Sequence, residues 1–252
     1  MTSVSALVVA HNEEQRLEAC LQRLHFCDEI VVVLDRCTDG SAALARRFTD
    51  RVVIGAWPIE GDRRNLGIET CKGPWVLEVD ADERVPEALA REIRATIAAS
   101  TADWHEIPVD NYIGDRLVRH GWGASFGRSA YAGLFRKGAK TWGQERVHPK
   151  LTFAGTKGAR LATPIAHYVD RDISDMLKRL DRYTTANAID LRAKGDPGSF
   201  GHNVRRIFSR FWKCYVGRKG YREGGYGFLI ALCAGLYPIL SYLKATLEKD
   251  PR

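Results

Sequence analysis

The chain has 252 residues, 45% hydrophobic and 27% charged, a balance typical of a soluble globular protein with one large or two small domains. Its six cysteines lack CxxC spacing and we find no leader pattern at the start. This excludes a disulfide framework or a zinc site of that type and predicts reduced thiols in the cytosol. The net charge of +7 lies entirely in residues 201–252, which hold ten Lys or Arg residues and three acids.

The first hundred residues alternate strand and helix patterns. Apolar runs predict buried strands at 4–10, 30–34, 52–54 and 75–79. Helical patterns are predicted after Asn12, which should cap its helix, over 41–48, over 62–71 and after Pro86. Strands separated by helices of this length predict an α/β fold with a Rossmann-like, doubly wound, mostly parallel sheet.

The second half has a different texture. Short strands among glycine-rich loops are predicted at 104–109, 133–136 and 146–153. Residues 172–193 return to helical periodicity, and residues 194–199 are the clearest linker.

The C-terminal segment combines basic and apolar residues. Within 201–222, seven basic residues alternate with apolar and aromatic ones, and no acid occurs. Such a segment suits an anionic membrane surface, where each cation contributes roughly 1 kcal/mol. A nucleic-acid patch is the alternative. Residues 224–243 carry no charge, but their glycines and Pro238 favour a helix in the interface, or packed on the protein, over a membrane span.

Acidic residues stand where two of the predicted strands end. Asp35 and Asp39 follow the second strand, and Asp80 and Asp82 follow the fourth. Parallel strands deliver such residues to the carboxyl edge of a sheet. If strand geometry persists through Asp82, Asp80 and Asp82 point to the same side and repel each other unless a cation lies between them. A hard divalent ion carrying phosphate oxygens meets that need, so the pattern predicts a metal-bound nucleotide diphosphate compound.

The turn after the second strand has two interpretations. Asp35 is a candidate acceptor for a nucleobase N–H or a ribose hydroxyl, and an Asx-turn is the alternative. Asp39 is expected mainly to cap the next helix.

An ordered set of short motifs surrounds these acids. It comprises Val8–Glu14, Asp28–Ser41, Arg64-Asn65, Trp75–Arg84, His120-Gly-Trp122, Leu134-Phe-Arg136, Val147-His148 and Pro164–Tyr168. Together they resemble family 2 glycosyltransferases over roughly residues 3–190, in the branch similar to lipopolysaccharide-core glucosyltransferases. The resemblance implies a GT-A fold, an inverting mechanism, a UDP-sugar donor of the UDP-glucose type, and Mg²⁺ or Mn²⁺ as the cofactor.

The resemblance also implies roles by position. Asp35 would contact the base, Asp80 the ribose or the metal, and Asp82 the metal. The backbone around Ala10 and Glu14 would line the nucleotide pocket, with Arg63 or Arg64 near the base or phosphates. Two further candidates come from the residues themselves: Arg136, whose planar guanidinium suits a phosphate, and His167, which follows a Pro-Ile step, as a ligand of the metal or diphosphate. The alternatives are a surface ion pair for Arg136 and a structural hydrogen bond for His167.

The general base departs from the family pattern. The branch usually places a Glu directly after Val-His, where this chain has Pro149. Glu145 or His148 is therefore expected to take the acceptor proton, a contribution of about 10²- to 10⁴-fold. An ion pair with Arg146 or Lys150 is the alternative role for Glu145.

Three functional segments are expected: a nucleotide-sugar-binding half (1–103), an acceptor-binding half (104–194) and a membrane-associating helical segment (195–252). The predicted function is metal-dependent inverting transfer of a hexose from a UDP-sugar to a lipid-linked saccharide such as lipopolysaccharide core. The protein would lie peripherally on the inner face of the cytoplasmic membrane, with no nucleic-acid partner. The alternatives are a nucleotidyltransferase-like enzyme and a non-catalytic membrane-binding protein on the same fold.

Overall fold

The structure, a computed structural model, describes residues 2–123, 127–145 and 149–248. In these residues the strands are β1 (Val4–Ala10), β2 (Glu29–Asp35), β3 (Val52–Gly55), β4 (Trp75–Asp80), β5 (Glu83–Arg84), β6 (Trp104–Ile113), β7 (Arg116–Val118), β8 (Ala130–Arg136), β9 (Lys140–Trp142), β10 (Leu151–Phe153) and β11 (Ile165–Asp170). The α-helices are α1 (Glu14–Leu21), α2 (Ser41–Ala45), α3 (Glu60–Thr70), α4 (Glu87–Ala99), α5 (Ile173–Ala193), α6 (Phe200–Trp212) and α7 (Gly225–Leu247).

The central sheet begins as a parallel sheet in the order β3-β2-β1-β4. Strands β8, β6, β11 and β5 continue it in that order, and β7 pairs with β6. The recorded pairs β4–β8, β6–β8 and β11–β5 are antiparallel, and β9 forms a separate antiparallel pair with β10. The mostly parallel α/β sheet predicted from the sequence is confirmed for the first four strands.

The chain divides into two compact units. Unit 1 comprises Met1–Val109 and Ala130–His167, and unit 2 comprises Asp110–Ser129 and Tyr168–Arg252. This division is based on compactness and does not assign a function to either unit. The roles expected for residues 1–103, 104–194 and 195–252 therefore stay predictions.

Unit 1 has a core on each face of its sheet, because successive β1 side chains point to opposite sides. Ala6 and Val8 belong to one core with residues of α1 and α4, whereas Leu7 and Val9 belong to the other with residues of α3. Leu17 and Ile93 are fully buried on the first face. Each such side chain contributes about 1.5–3 kcal/mol on burial. Helices on both faces make the sheet doubly wound and leave its carboxyl edge to the loops.

Unit 2 is built around α5, α6 and α7. Its core includes Met176 and Leu180 of α5, Ile230 and Ala234 of α7, and Val118 of β7. In the part of the chain that the structure describes, α7 is the one helix long and apolar enough to cross a membrane, and 56% of its most apolar window is buried. The same helix supplies much of the unit 2 core, so we describe it as a core helix.

The structure corrects one predicted cap. Helix α1 begins at Glu14, and its N-cap residue Glu13 makes no side-chain capping bond. Asn12 has a φ of 54°, and its Oδ1 accepts a 2.8 Å hydrogen bond from the Thr38 backbone N–H. Asn12 therefore ties together the loops after β1 and β2 instead of capping α1.

Candidate active site

The acids at the end of β2 and β4 flank β1 at one edge of the sheet. Ala10 pairs with Leu34 of β2, and Val9 pairs with Asp80 of β4. Strand order reverses at β1, where β2 lies on one side and β4 on the other. In open α/β sheets, ligands bind outside the carboxyl ends of strands at such a point. The fold thus puts Asp35 and Asp80 on either side of the end of β1, where a ligand-binding crevice is expected.

Asp35 is fully buried and accepts several hydrogen bonds. Its Oδ1 accepts from the Trp57 N–H at 2.9 Å and from Arg36 Nε at 3.1 Å. Its Oδ2 accepts from Arg36 Nη2 at 2.7 Å and Arg63 Nη1 at 2.5 Å. Burial acts to raise the pKa of the Asp35 carboxyl, but these donors outweigh it and hold the pKa below its ordinary value. Asp35 is therefore an ionised acceptor, and Arg63 belongs to its side of the crevice.

The loops after β1 and β2 are joined by reciprocal hydrogen bonds. The Glu14 N–H donates to Asp39 Oδ2 at 3.0 Å, and the Gly40 N–H donates to Glu14 Oε2 at 2.9 Å. A Cβ on Gly40 would lie 2.3 Å from Glu14 Oε1, so a larger residue there would displace the Glu14 carboxylate. Asp39 Oδ1 also accepts the Ser41 N–H at 3.1 Å, at the start of α2. Glu14 thus builds the rim next to Ala10 through its carboxylate, and Asp39 serves both loops.

A buried ionic network lies behind Asp80. Arg64 donates to Glu78 at 2.7 Å and to Asp80 Oδ1 at 3.0 Å, and its guanidinium lies 4.5 Å from the centre of the Trp142 ring. Lys140 Nζ lies 2.5 Å from the other oxygen of Glu78. Burial acts to raise the pKa of the Glu78 carboxyl, and the two cations more than reverse this.

This network corrects the expected geometry of the acids. Strand β4 ends at Asp80, and Asp82 lies in the following turn. The carboxylates two apart on the strand are therefore Glu78 and Asp80, and the cation that joins them is the guanidinium of Arg64. The reasoning that paired acids need a cation holds, but it applies to a different pair.

Asp82 meets His167 instead. Asp82 Oδ2 lies 3.4 Å from His167 Nε2 and 3.6 Å from Arg16 Nη1. His167 is brought there because β11 pairs with β5, which follows the turn that holds Asp82. Its side chain is 14% exposed and that of Asp82 is 23% exposed, so both reach the surface of unit 1.

These residues fit part of a divalent-metal site. A carboxylate and an imidazole are suitable ligands for such an ion, and Mg²⁺ is commonly held by one or two protein carboxylates together with substrate phosphates. No group of three or more His, Cys, Asp or Glu side chains in the described residues could hold an ion by itself. Of the predicted ligands, the structure brings together Asp82 and His167, and it pairs Asp80 with Arg64.

Sequence reasoning did not identify Lys140, Tyr131 or Arg16 as part of this region. Tyr131 donates to Glu83 Oε2 at 3.0 Å, and Glu83 in turn accepts the Asp80 N–H at 2.9 Å. The sequence did contain a signal for this network, because Glu78 lies inside the apolar strand β4 and a buried acid needs a partner. The identity of that partner depends on chain segments brought together only by folding.

Arg136 lies away from the other candidates. It pairs in register with Trp75, at the opposite end of β4 from Asp80. Its guanidinium donates to the carbonyls of Ser100 and Ala102, at 3.1 and 3.2 Å, and lies 4.7 Å from the centre of the Trp75 ring. These contacts make Arg136 a structural residue, so its predicted role on a phosphate is not supported by its position.

The candidate general bases lie beyond β9. Glu145 is exposed, and its Oε2 accepts the Lys150 N–H at 3.0 Å. This backbone hydrogen bond lowers the pKa of the Glu145 carboxyl. The neighbouring Gln144 donates to Asp62, in the first turn of the helix that carries Arg63 and Arg64. His148 lies outside the described residues.

The part of the chain that carries the acidic strand ends matches a known protein family. The family model for Glycosyl transferase family 2 matches residues 5–141, more than half of the chain. The match includes β1 to β4 and both acidic strand ends.

Two curated relatives align along almost the full length of the chain. The chain is 25% identical to the lipopolysaccharide core biosynthesis glycosyltransferase LpsC of Rhizobium meliloti, over 96% of this chain and 91% of LpsC. It is 23% identical to the uncharacterized glycosyltransferase RP128 of Rickettsia prowazekii, over 99% of this chain and 88% of that protein.

Solved structures share the fold at low sequence identity. A crystal structure of S. aureus TarS 1-349 in complex with UDP has a TM-score of 0.51 and 13% identity, over 88% of this chain and 75% of that one. At this identity the likeness concerns the fold, and it matches the GT-A-like α/β architecture expected from the sequence.

Proposed function

Because the chain belongs to glycosyl transferase family 2, and is therefore a glycosyltransferase, we propose that it moves a hexose from a UDP-sugar to a lipid-linked saccharide. The name of the relative LpsC supports an acceptor of the lipopolysaccharide-core type. UDP in the structurally similar TarS supports a uridine nucleotide. The proposed reaction inverts the anomeric centre and depends on Mg²⁺ or Mn²⁺.

The observation that carries the proposal is the arrangement of acids at the sheet edge. Asp35 and Asp80 flank the end of β1, and the carboxylate of Asp82 lies 3.4 Å from His167. A nucleoside diphosphate offers N–H and hydroxyl donors at one end and anionic oxygens at the other. The sheet edge has carboxylate acceptors for the N–H and hydroxyl donors, and a partial metal site for the anionic oxygens.

The nucleoside end would bind beside β2. Asp35 would accept the base N–H, replacing a hydrogen bond now made by Arg36, whose side chain is 54% exposed. Arg63, only 19% exposed, would keep Asp35 ionised and oriented. Asp80, fixed by Arg64, would accept a ribose hydroxyl.

The diphosphate end would bind beside Asp82 and His167. A divalent ion held by these residues would neutralise the charge that grows on the departing diphosphate. Arg16, which lies 3.6 Å from Asp82, would help to balance charge at the same place.

The acceptor side requires a base. Glu145 would take the proton of the incoming hydroxyl, since an exposed carboxylate is ionised at neutral pH. His148 is the second candidate. The hydroxyl oxygen would bond to the anomeric carbon on one face of the sugar as the bond to the UDP oxygen breaks on the opposite face, and UDP would leave.

The test is a UDP-release assay over a set of sugar nucleotides, with and without Mn²⁺, using the full chain and a glycolipid acceptor. We expect metal-dependent UDP release that Asp82→Asn lowers by at least about 10²-fold. Asp115→Asn is the matched control, because Asp115 is exposed in the β6–β7 turn.

Other outcomes would overturn the proposal. Release of pyrophosphate would indicate nucleotidyl transfer, and binding to vesicles without turnover of any sugar nucleotide would indicate a non-catalytic protein. Turnover that is equal with and without divalent metal would remove the metal from the reaction.

The proposed acceptor also suggests a location. A lipid-linked saccharide presented in the cytoplasm lies at the inner face of the cytoplasmic membrane, so the proposal includes peripheral association with that anionic surface. Cell fractionation with a salt wash tests it, since a peripheral protein should leave the membrane at high ionic strength.

A further inference from the structure

Helix α6 exposes its large aromatic side chains. Phe208 is 71% exposed and Trp212 is 66% exposed. Residues four apart lie on the same face of a helix, so the two rings are neighbours on the surface. Arg205, three residues before Phe208, is also exposed on this face.

The opposite face of α6 packs on the rest of unit 2 and carries few large apolar side chains. Asn203 is buried and donates to the Ser199 carbonyl at 3.0 Å. The backbone of Ile207 approaches Gly235 of α7 so closely that a Cβ there would lie 2.7 Å from its carbonyl oxygen. Arg210 lies 5.9 Å from the centre of the Tyr237 ring, and burial lowers the pKa of its guanidinium. The face with Asn203 and Ile207 therefore meets α7, and Phe208 and Trp212 lie on the other side of the helix.

Ring contacts extend this surface beyond α6. Phe211 and Tyr215 contact Phe228, with ring centres 5.5 and 6.0 Å apart, and Phe228 is itself 49% exposed. Tyr215 also contacts Tyr221, which is 50% exposed. We use the term aromatic-basic face for Arg205, Phe208, Trp212, Lys213, Tyr221 and Phe228.

The charge of the segment is complementary to an anionic surface. Residues 201–222 hold seven basic residues and no acid, and both Arg205 and Lys213 are exposed. A second copy of the chain would bring the same positive charges together, which disfavours self-association through this face. Exposed aromatic rings flanked by cations suit the boundary between lipid headgroups and acyl chains.

We propose that the aromatic-basic face docks on an anionic lipid bilayer, with Phe208 and Trp212 inserted at the headgroup level and Arg205 and Lys213 on the lipid phosphates. The inference goes beyond the proposed function by naming the residues that bind. It rests on that function only in that a lipid-linked acceptor requires the enzyme at a membrane.

The experiment is flotation of the full chain with vesicles of phosphatidylcholine alone or with about 30% phosphatidylglycerol, in low and high salt. We expect binding only to the anionic vesicles and release at high salt. Phe208→Ala/Trp212→Ala should weaken binding at least about tenfold, and Arg205→Gln/Lys213→Gln should weaken it about fivefold per cation.

The matched control is Ile173→Ala/Leu177→Ala on α5. These residues are 51% and 50% exposed, and they share the spacing of four and the same unit. The control should float like the unchanged protein. The Trp212 emission should also shift to shorter wavelength with anionic vesicles, and Trp212→Phe should remove that shift while flotation persists.

Flotation is measured without a sugar nucleotide, so its result does not depend on turnover. Equal flotation of the Phe208→Ala/Trp212→Ala variant and the unchanged protein would overturn the proposal. So would binding of duplex DNA or RNA with no binding of vesicles, which would assign the face to nucleic acid. Vesicle binding without any glycosyl transfer would instead refute the proposed function and leave this inference standing.

Discussion

Substitution of Glu78 by Gln tests the buried network behind the active site most directly. Glu78 is 2% exposed and lies between Lys140, 1% exposed, and Arg64, 11% exposed. The substitution keeps the shape of the side chain but removes the buried negative charge that both cations contact. Lys140 keeps its hydrogen bond to the Ala132 carbonyl, at 2.9 Å, but loses the carboxylate charge.

The expected cost is large. Removing one partner of a buried ion pair destabilises a protein by about 3–5 kcal/mol, because the remaining charge is left buried. For a chain of this size, each kcal/mol lowers the melting temperature by about 2–4 °C. Glu78→Gln should therefore lower the melting temperature by roughly 10 °C.

Thermal unfolding of three variants separates this reasoning from a general packing effect. Glu78→Gln/Lys140→Met removes both charges and should recover at least about 2 kcal/mol of the loss. Glu87→Gln breaks an exposed pair on α4, where the side chains are 79% and 75% exposed, and should leave the melting temperature unchanged. A melting temperature of Glu78→Gln equal to that of the unchanged protein, or a double variant no more stable than the single one, would refute the argument.

Three further predictions concern the crevice. Glu145→Gln should lower transfer by about 10²-fold or more while leaving UDP affinity unchanged in calorimetry; a retained rate would move the role to His148. Arg36→Ala should leave UDP binding equal or tighter in the same titration, because Arg36 now donates to the Asp35 carboxylate that the base N–H would use. A tenfold loss of affinity would show that Arg36 contacts the ligand. The lowered pKa of Asp35 means that its ionised form stabilises the fold fully above its unfolded pKa of about 3.9. This stabilisation is lost as the pH falls through the lower pKa of the folded state. The difference in melting temperature between the unchanged protein and Asp35→Asn should therefore shrink in acid, and a difference that stays constant with pH would contradict the reasoning.

The fold could be predicted because its signals are local. The β-branched runs that became β1, β2 and β4 are buried along most of their length, which removes polar alternation and leaves a clear strand pattern. Likewise, Pro86 immediately precedes α4, with Leu89, Ile93 and Ile97 buried on one stripe.

The site could be predicted only in part, because its contacts are long-range. Sequence spacing correctly put Asp35 and Asp80 at the sheet edge, but it could not show that β4 ends at Asp80 and leaves Asp82 in a turn. Lys140 is 62 residues from Glu78, so no local pattern links them. Similarly, helical periodicity does not reveal that α6 packs on α7 through Ile207 and leaves Phe208 and Trp212 exposed.

The way α7 is built into unit 2 limits how this protein can be shortened. Ile230, Ala231 and Ala234 are fully buried there, in one core with Met176 and Leu180 of α5. A chain cut at Lys194 would present those α5 side chains to water and would be prone to aggregate. Residues 225–247 are thus part of the folded body and not a detachable anchor, so substitutions on the surface, and not truncation, are the way to separate catalysis from the proposed membrane attachment.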